Sequence, residues 1–235
     1  MYKYLLFDLD RTLWDFEGNA NITFQHMYRD FNLVDICHTD YETFHNTYHQ
    51  INDSLWEAYR NGAITKEILY TRRFSLTLEH FNAPANIIGS MAQKMGDYYV
   101  LEGPKQKGLM PGCREMLDYI ESTHKYELCI ITNGFSEAQL PKMKTSDIDR
   151  YFSHFFLSET LGHNKPDIRF FEAALKQINA TPEECIVIGD DFHVDIVGAH
   201  NAGINQIYYN PFDHPKGDFD PTYEIKHLLE LKKIF

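Results

Sequence analysis

The chain has 235 residues, of which 43% are hydrophobic and 14% aromatic, and this composition excludes a disordered or fibrous protein. Its 22 basic and 34 acidic residues give a formal net charge of −12 at pH 7, which disfavours binding to a nucleic-acid polymer. A small anionic ligand remains compatible with this charge, because a few local cations can outweigh a distant field.

The sequence predicts neither a membrane span nor a signal peptide, since no apolar run is long enough and Asp8 interrupts the first one. Its cysteines are far apart and lack paired spacing: Cys37, Cys113, Cys129 and Cys185. We therefore expect reduced thiols in a cytoplasmic protein that does not bind membranes. We expect a monomer or a small homo-oligomer.

Short apolar runs typical of buried strands alternate with helical patterns along most of the chain. The predicted strands are Tyr4–Phe7, Leu128–Thr132, His154–Ser158, Cys185–Gly189 and Ile204–Tyr209. The predicted helices are Gly112–Thr123, Ser136–Arg150, Asp167–Ile178, Val194–Ala202 and a final amphipathic helix over Tyr223–Phe235. This alternation predicts an α/β fold, a doubly wound parallel sheet with both faces covered.

The stretch from about residue 16 to residue 103 differs, because it lacks strand-like runs and carries aromatic residues at helical spacing. Gly103–Pro104 and Pro111–Gly112 bound a segment typical of a return linker. We predict an all-helical insertion over residues 15–103, within a core formed by residues 1–14 and 104–235.

Polar residues stand at four places where the predicted fold ends a strand or begins the next helix. They are Asp8-Leu9-Asp10-Arg11-Thr12-Leu13, Thr132-Asn133-Gly134, Lys165-Pro166-Asp167, and Gly189-Asp190-Asp191 with Asp195. Each alone is compatible with an ordinary turn or helix cap. Ligands of open α/β sheets bind beyond the carboxyl ends of the strands, so the four together predict a functional site.

The residue types at these positions indicate phosphoryl chemistry. Clustered carboxylates require a cation, and oxygen ligands suit Mg²⁺ bridging to a phosphate. Asp8 can attack phosphorus, and Asp10 can protonate the leaving alcohol and then take a proton from water. Lys165 would neutralise the transferring phosphoryl group, and Thr132 and Asn133 would donate hydrogen bonds to its oxygens.

These motifs resemble those of the haloacid dehalogenase-like superfamily over the whole chain. The resemblance implies an aspartyl-phosphate intermediate on Asp8. It also implies Mg²⁺ held by Asp8, by the backbone carbonyl of Asp10 and by Asp190. Asp10 resembles the acid of the phosphatases and phosphomutases, since dehalogenases lack it and transport ATPases carry Thr there.

Three further residues in the motifs have supporting positions. Thr12 is expected to buttress the first loop. The resemblance places Asp195 behind the metal ligands, together with Asp191, which stands where many relatives carry Ser. Arg11 replaces a commoner Gly and has no catalytic role.

The helical insertion resembles the cap of this superfamily, which closes over substrate and excludes water. Within it, Leu55-Trp56, Tyr59, Asn61-Gly62-Ala63-Ile64-Thr65 and Arg73-Phe74 resemble bacterial pyrimidine 5′-nucleotidases, as does the Phe135 that follows the second motif. This resemblance implies pyrimidine nucleoside monophosphates as substrates, including deoxy and non-standard ones. The candidate substrate contacts are Trp14, Phe16, Phe135, Trp56 and Arg73. Core packing is the alternative for the aromatic residues, and a solvated helix face is the alternative for one of the two neighbours Arg72 and Arg73.

Two other functions stay open. A sugar-phosphate or phosphoglycolate phosphatase, or a β-phosphoglucomutase-like phosphotransferase, would use the same core motifs. A catalytically silent regulatory or binding protein could also share the fold. The intact Asp8, Asp10, Lys165 and Asp190 argue against the silent protein.

Overall fold

A computed structural model describes residues 2–235 and divides them into two compact units. Among the described residues, the core unit comprises residues 2–17 and 107–235, and the helical unit is Gly18–Gln106. Within residues 2–235, the search for a helix both long and apolar enough to cross a bilayer found none.

The core unit is built on a six-stranded sheet with the order β3-β2-β1-β4-β5-β6. The strands are β1 Tyr4–Phe7, β2 Glu127–Thr132, β3 Phe152–Leu157, β4 Cys185–Gly189, β5 Asn205–Tyr209 and β6 Tyr223–Ile225. Every strand pairing is parallel, so the predicted α/β class is confirmed.

The helices follow the strands in the expected alternation. They are α1 Phe16–Asp30, α2 Leu33–Cys37, α3 Tyr41–Arg60, α4 Lys66–His80, α5 Ala85–Glu102, α6 Cys113–Thr123, α7 Ser136–Thr145, α8 Ser158–Leu161, α9 Ile168–Ile178 and α10 Val197–Asn201. A π-helical turn, Phe192–Ile196, precedes α10.

Strand β1 is apolar along its whole length because both of its faces are buried. Leu5 and Phe7 belong to one buried cluster, and Tyr4 and Leu6 belong to another. Successive side chains of a strand point to opposite faces, so both faces of the sheet are covered. All four cysteines are free and buried, as expected for reduced core thiols.

The helical unit packs around aromatic rings. The Phe24 and Tyr48 rings lie 4.3 Å apart, and the Tyr48 and Phe74 rings stack at 5.2 Å. Asp40 caps α3 by accepting a hydrogen bond from the Thr43 backbone N–H at 2.8 Å. The helices expected between residues 16 and 103 are therefore present, while a closing role for this unit stays a prediction.

Two local predictions are wrong. The C-terminal segment is not a helix: Tyr223–Ile225 adds a strand beside β5, and Leu228–Lys233 forms a 3₁₀-helix. The pairing partner Ile207–Tyr209 exists only once the sheet has formed. Helix α7 ends at Thr145 instead of Arg150, because the backbone at Asp147 takes a left-handed φ of 53° that stops the helix.

Candidate active site

The predicted motif residues of the core unit converge at one edge of the sheet. Asp8 directly follows β1, and Asp190 directly follows β4, the neighbour of β1. Thr132 is the last residue of β2, which pairs with β1 on its other side. The carboxyl ends of parallel strands share one edge, which is why residues far apart in sequence meet there.

Lys165 joins this edge from the loop before α9. Its Nζ lies 2.6 Å from Asp8 Oδ1, 2.6 Å from Asp195 Oδ1 and 3.1 Å from the backbone carbonyl oxygen of Ile131. These three acceptors use the three donors of an ammonium group, so this 1% exposed lysine is fully hydrogen-bonded. Burial by itself would lower the pKa of Lys165, but the two carboxylates reverse this and raise it.

Three carboxylates lie close together at this edge of the sheet. Asp8, Asp190 and Asp195 each offer one oxygen, and these oxygens lie within 4.8 Å of one another. Burial raises the pKa of Asp8 to about 7; Lys165 opposes the rise, and Asp195 adds to it. Burial, followed by repulsion from Asp8, raises the pKa of Asp190 well above its ordinary value. One ammonium does not neutralise three carboxylates, so the cluster favours an added cation, and its oxygen-only donors fit Mg²⁺.

Thr12 and Asp191 occupy different positions relative to this cluster. Thr12 is buried and donates a hydrogen bond from its hydroxyl to Asp190 Oδ1 at 2.8 Å. The exposed Asp191 instead accepts from the backbone N–H groups of His193 and Val194, both at 2.9 Å. Its side chain caps the turn that follows, which is a local structural contact.

Asn133 is engaged with the main chain of Lys165. Its side-chain Nδ2 donates to the Lys165 carbonyl at 2.9 Å, and its Oδ1 accepts from the Lys165 N–H at 2.8 Å. The paired contacts hold the lysine loop against the end of β2. These contacts use one of the two N–H donors of the amide, so the expected donation from Asn133 to phosphate stays a prediction.

The Thr132 hydroxyl oxygen accepts two hydrogen bonds. One comes from the Gly134 backbone N–H at 3.0 Å, and the other from Gln139 Nε2 at 2.7 Å. Both lone pairs of the oxygen are used, which leaves its hydrogen to donate to a bound acceptor. This geometry suits contact with a phosphoryl oxygen.

Asp10 is held by two residues of α7 that the motif reasoning missed. Lys142 Nζ lies 2.7 Å from Asp10 Oδ1, and Gln139 Nε2 lies 2.8 Å from Asp10 Oδ2. The two side chains are three residues apart, a spacing that places them on one helix face. This spacing of Gln139 and Lys142, just after the second motif, is the sequence feature from which their contacts with Asp10 could have been predicted.

The chain matches a known protein family over most of its length. The model of the haloacid dehalogenase-like hydrolases matches residues 5–209. The chain belongs to the haloacid dehalogenase-like hydrolase family. The resemblance drawn from the motifs is thereby confirmed, and the protein is a hydrolase.

Relatives of this hydrolase match over nearly its whole length. It is 32% identical to the pyrimidine 5′-nucleotidase PynA of Streptococcus pneumoniae, over 98% of this chain and 93% of that one. It is 29% identical to the pyrimidine 5′-nucleotidase YjjG of Escherichia coli, over 99% and 95% of the two chains. The magnesium-bound crystal structure of YfnB from Bacillus subtilis superposes with a TM-score of 0.88 at 27% identity, covering 99% and 98%.

Three of the candidate substrate contacts lie in the core unit of the hydrolase. Trp14 is 2% exposed, and the Lys142 ammonium lies 4.4 Å from its ring centroid. Phe16 is half-buried and meets Trp14 edge to face at 6.3 Å. Phe135 is half-buried at the N-cap of α7. Trp14 therefore packs in the core, whereas the two phenylalanines keep part of their surface exposed.

The other two candidates lie in the helical unit. Trp56 is half-buried near the end of α3, with its ring 5.7 Å from that of Tyr59. Arg73 is 6% exposed, and its guanidinium carbon lies 5.0 Å from the Tyr99 ring centroid and 5.1 Å from that of Phe74. Arg73 thus lies among aromatic rings and not on a solvated helix face.

Proposed function

We propose that this hydrolase is a Mg²⁺-dependent phosphatase that forms an aspartyl-phosphate on Asp8 and acts on pyrimidine nucleoside monophosphates. The observation that carries the proposal is the placement of Asp8 at the end of β1, 2.6 Å from Lys165 and within a cluster of three carboxylates. Lys165 engages Oδ1, so we assign the attack on phosphorus to Oδ2.

The reaction balances with the residues of the core unit. Asp8 forms a bond to phosphorus while the bond from phosphorus to the ester oxygen breaks, and Asp10 gives that oxygen its proton. Asp10 then takes a proton from water, whose oxygen attacks phosphorus and releases Asp8 and inorganic phosphate. Throughout both steps the Thr132 hydroxyl donates to a phosphoryl oxygen, and Lys165 holds Asp8 in place.

Asp8, Asp190 and the backbone carbonyl of Asp10 would hold the Mg²⁺. When bound, the ion supplies positive charge that offsets the charge of the phosphoryl group. Asp195 faces Lys165 and supports the cluster from behind, and Thr12 orients Asp190 through its hydroxyl.

The nucleotide assignment is supported by the relatives and by the resemblance of Leu55-Trp56, Asn61–Thr65 and Arg73-Phe74 to pyrimidine 5′-nucleotidases. Two relatives named pyrimidine 5′-nucleotidases match almost the full chain at 32% and 29% identity. The same core chemistry would serve a sugar-phosphate phosphatase, because Asp8, Asp10 and Lys165 act on the phosphoryl group whatever alcohol it leaves. Substrate preference must therefore be measured.

The test is phosphate release from dUMP, UMP, dTMP, purine monophosphates and sugar phosphates, with Mg²⁺ and with EDTA. We expect the highest kcat/KM on pyrimidine monophosphates and no turnover in EDTA. Asp8→Asn should lower kcat by at least about 10³-fold, whereas the matched Asp191→Asn, which keeps a helix-capping side chain, should stay close to the unmodified enzyme.

The outcomes separate the parts of the proposal. Acid quenching during turnover should trap a phosphorylated peptide that contains residue 8. Wild-type turnover by Asp8→Asn would overturn the nucleophile, and full activity in EDTA would overturn the metal. A higher kcat/KM on sugar phosphates would overturn only the substrate class.

A further inference from the structure

Both carboxylate oxygens of Asp10 are held by one face of α7. Lys142 Nζ contacts Oδ1 at 2.7 Å and Gln139 Nε2 contacts Oδ2 at 2.8 Å. The Gln139 side chain is buried, and that of Lys142 is nearly so. These contacts cross more than half of the chain length, so they form only when the ends of β1 and β2 are adjacent.

Lys142 is itself confined by aromatic rings. Its ammonium lies 4.4 Å from the Trp14 ring centroid and 5.5 Å from that of Phe16. A cation over a ring face is attracted by the ring quadrupole, and this attraction strengthens when water is excluded. Lys142 therefore has a defined position, unlike a lysine on a solvated helix face.

Gln139 links Asp10 to the predicted phosphate-binding turn. Its Nε2 donates to Asp10 Oδ2 and also to Thr132 Oγ1 at 2.7 Å. A Cβ atom on residue 134 would lie 2.1 Å from the same Nε2, so the turn needs glycine there to admit the glutamine. One amide group thus fixes the distance between Asp10 and Thr132.

We propose that Lys142 and Gln139 are positioning residues that aim the carboxyl group of Asp10 at the leaving oxygen. The inference rests on the proposed function, since it assigns them to the proton transfer of that reaction. Lys142 fixes the rotamer of the Asp10 side chain. Gln139 fixes the position of that side chain relative to the phosphoryl group, which Thr132 binds. Misorientation of the Asp10 carboxyl group lowers the rate most when the leaving alkoxide is strongly basic and cannot depart without a proton.

The test compares two esters that differ in this need. The alkyl ester is the best nucleoside monophosphate of the substrate panel or, if sugar phosphates prove better, the best of those. The aryl ester is p-nitrophenyl phosphate, whose leaving group departs without protonation. Lys142→Met keeps the hydrophobic stem and removes the charge, and Lys144→Met is the matched control on the exposed face of α7.

We expect Lys142→Met to lower kcat/KM on the alkyl ester by about 10- to 100-fold, the size of effect that misplacing a reacting group by about 1 Å produces. The kcat/KM on p-nitrophenyl phosphate should fall by less than about 3-fold, because this parameter reports only the steps up to loss of the leaving group and that leaving group needs little proton transfer. Lys144→Met should change neither value. Lys142→Gln keeps a polar group at the site and should give the same split if Lys142→Met does not fold.

A double-mutant cycle tests whether Lys142 acts through Asp10. In an Asp10→Asn background, Lys142→Met should cause no further loss on the alkyl ester, since the group it positions is gone. Equal losses on the two esters, unchanged activity of both Lys142 variants, or an additive loss in the double variant would overturn the inference. Absence of turnover by the unmodified enzyme on every phosphomonoester would instead overturn the proposed function, and the inference with it.

Discussion

The ammonium of Lys165 lies 2.6 Å from Oδ1 of Asp195, and the two side chains are only 1% and 2% exposed. The same ammonium lies 2.6 Å from Asp8, the proposed nucleophile. A buried charge that loses its partner retains its desolvation penalty without compensation. The stability of the core unit and the geometry of the site therefore depend on the same three side chains.

Replacing Lys165 tests this dependence. Lys165→Met leaves Asp8 and Asp195 facing each other without a cation, so the free energy of unfolding should fall by about 3 kcal/mol, and phosphate release should be lost. The loss of stability should be larger at pH 8 than at pH 5, since protonation relieves the repulsion at the lower pH. Urea titration and the phosphate assay measure both effects, with Lys144→Met as the control. Unchanged stability at pH 8 would contradict the expectation.

Gly189 should tolerate no side chain, because Asp195 occupies the space beside it. A Cβ there would lie 2.4 Å from Asp195 Oδ2, a residue that cannot move without breaking its contact with Lys165. We expect Gly189→Ala to lower both the melting temperature and kcat. Gly89→Ala is the matched control, since Gly89 lies in α5 with nothing within 4 Å of an added Cβ, and alanine there should raise stability by about 0.5–1 kcal/mol. A Gly189→Ala variant as stable and active as the wild type would refute the packing argument.

The carboxylate cluster should make the free energy of unfolding depend on pH, and bound Mg²⁺ should reverse the direction of this dependence. Burial raises the pKa of Asp8 from 3.8 to about 7, so the metal-free folded protein retains a proton that the unfolded chain has released. Without metal, the contribution of Asp8 to the free energy of unfolding should fall as pH rises from about 4 to about 7, and then level off. Urea titrations in EDTA at several pH values, wild type against Asp8→Asn, isolate this contribution.

Added Mg²⁺ should stabilise the wild type more at pH 8 than at pH 5, because the ion binds the ionised carboxylates. The Asp8→Asn variant should gain less from the ion at both pH values. A wild-type stabilisation by Mg²⁺ that is independent of pH would contradict the assignment of Asp8 as a ligand.

Substitutions of the neighbours Asp190 and Asp191 should differ in their effects on stability and on the Mg²⁺ requirement. Asp191→Ala removes a cap that accepts two backbone hydrogen bonds, so it should cost about 1 kcal/mol of stability and leave the Mg²⁺ requirement unchanged. Asp190→Asn removes a carboxylate of the cluster, so it should raise the Mg²⁺ concentration needed for half-maximal activity. A Mg²⁺ titration of phosphate release distinguishes the two, and a raised requirement in Asp191→Ala would place that residue at the metal instead.

Arg11 adopts a backbone conformation that favours glycine. Its backbone φ is 67°, in the left-handed region that glycine adopts without cost. Glycine at this position would avoid the strain. In this chain, the Arg11 side chain donates from Nε to Glu17 at 2.7 Å, and its guanidinium carbon lies 4.4 Å from the Phe16 ring centroid.

The sequence by itself determined the fold class, the helical character of residues 16–103 and the family. These follow from local patterns: a buried parallel strand is a short apolar run, a helix repeats its apolar residues every three to four positions, and the family motifs are contiguous. The strand ends also identified the residues that the sheet edge brings together, because the parallel alternation alone dictates that edge.

The tertiary structure alone decided which polar partner each of these residues meets. The pairing of Lys142 with Asp10, the hold of Asn133 on the Lys165 loop and the burial of Arg73 among rings depend on side chains that approach across the fold. Strand β6 likewise exists because the edge of β5 offers unpaired backbone groups. Local sequence encodes torsional and hydrophobic preference, whereas hydrogen-bond partners are chosen by proximity in space, which chain spacing does not specify.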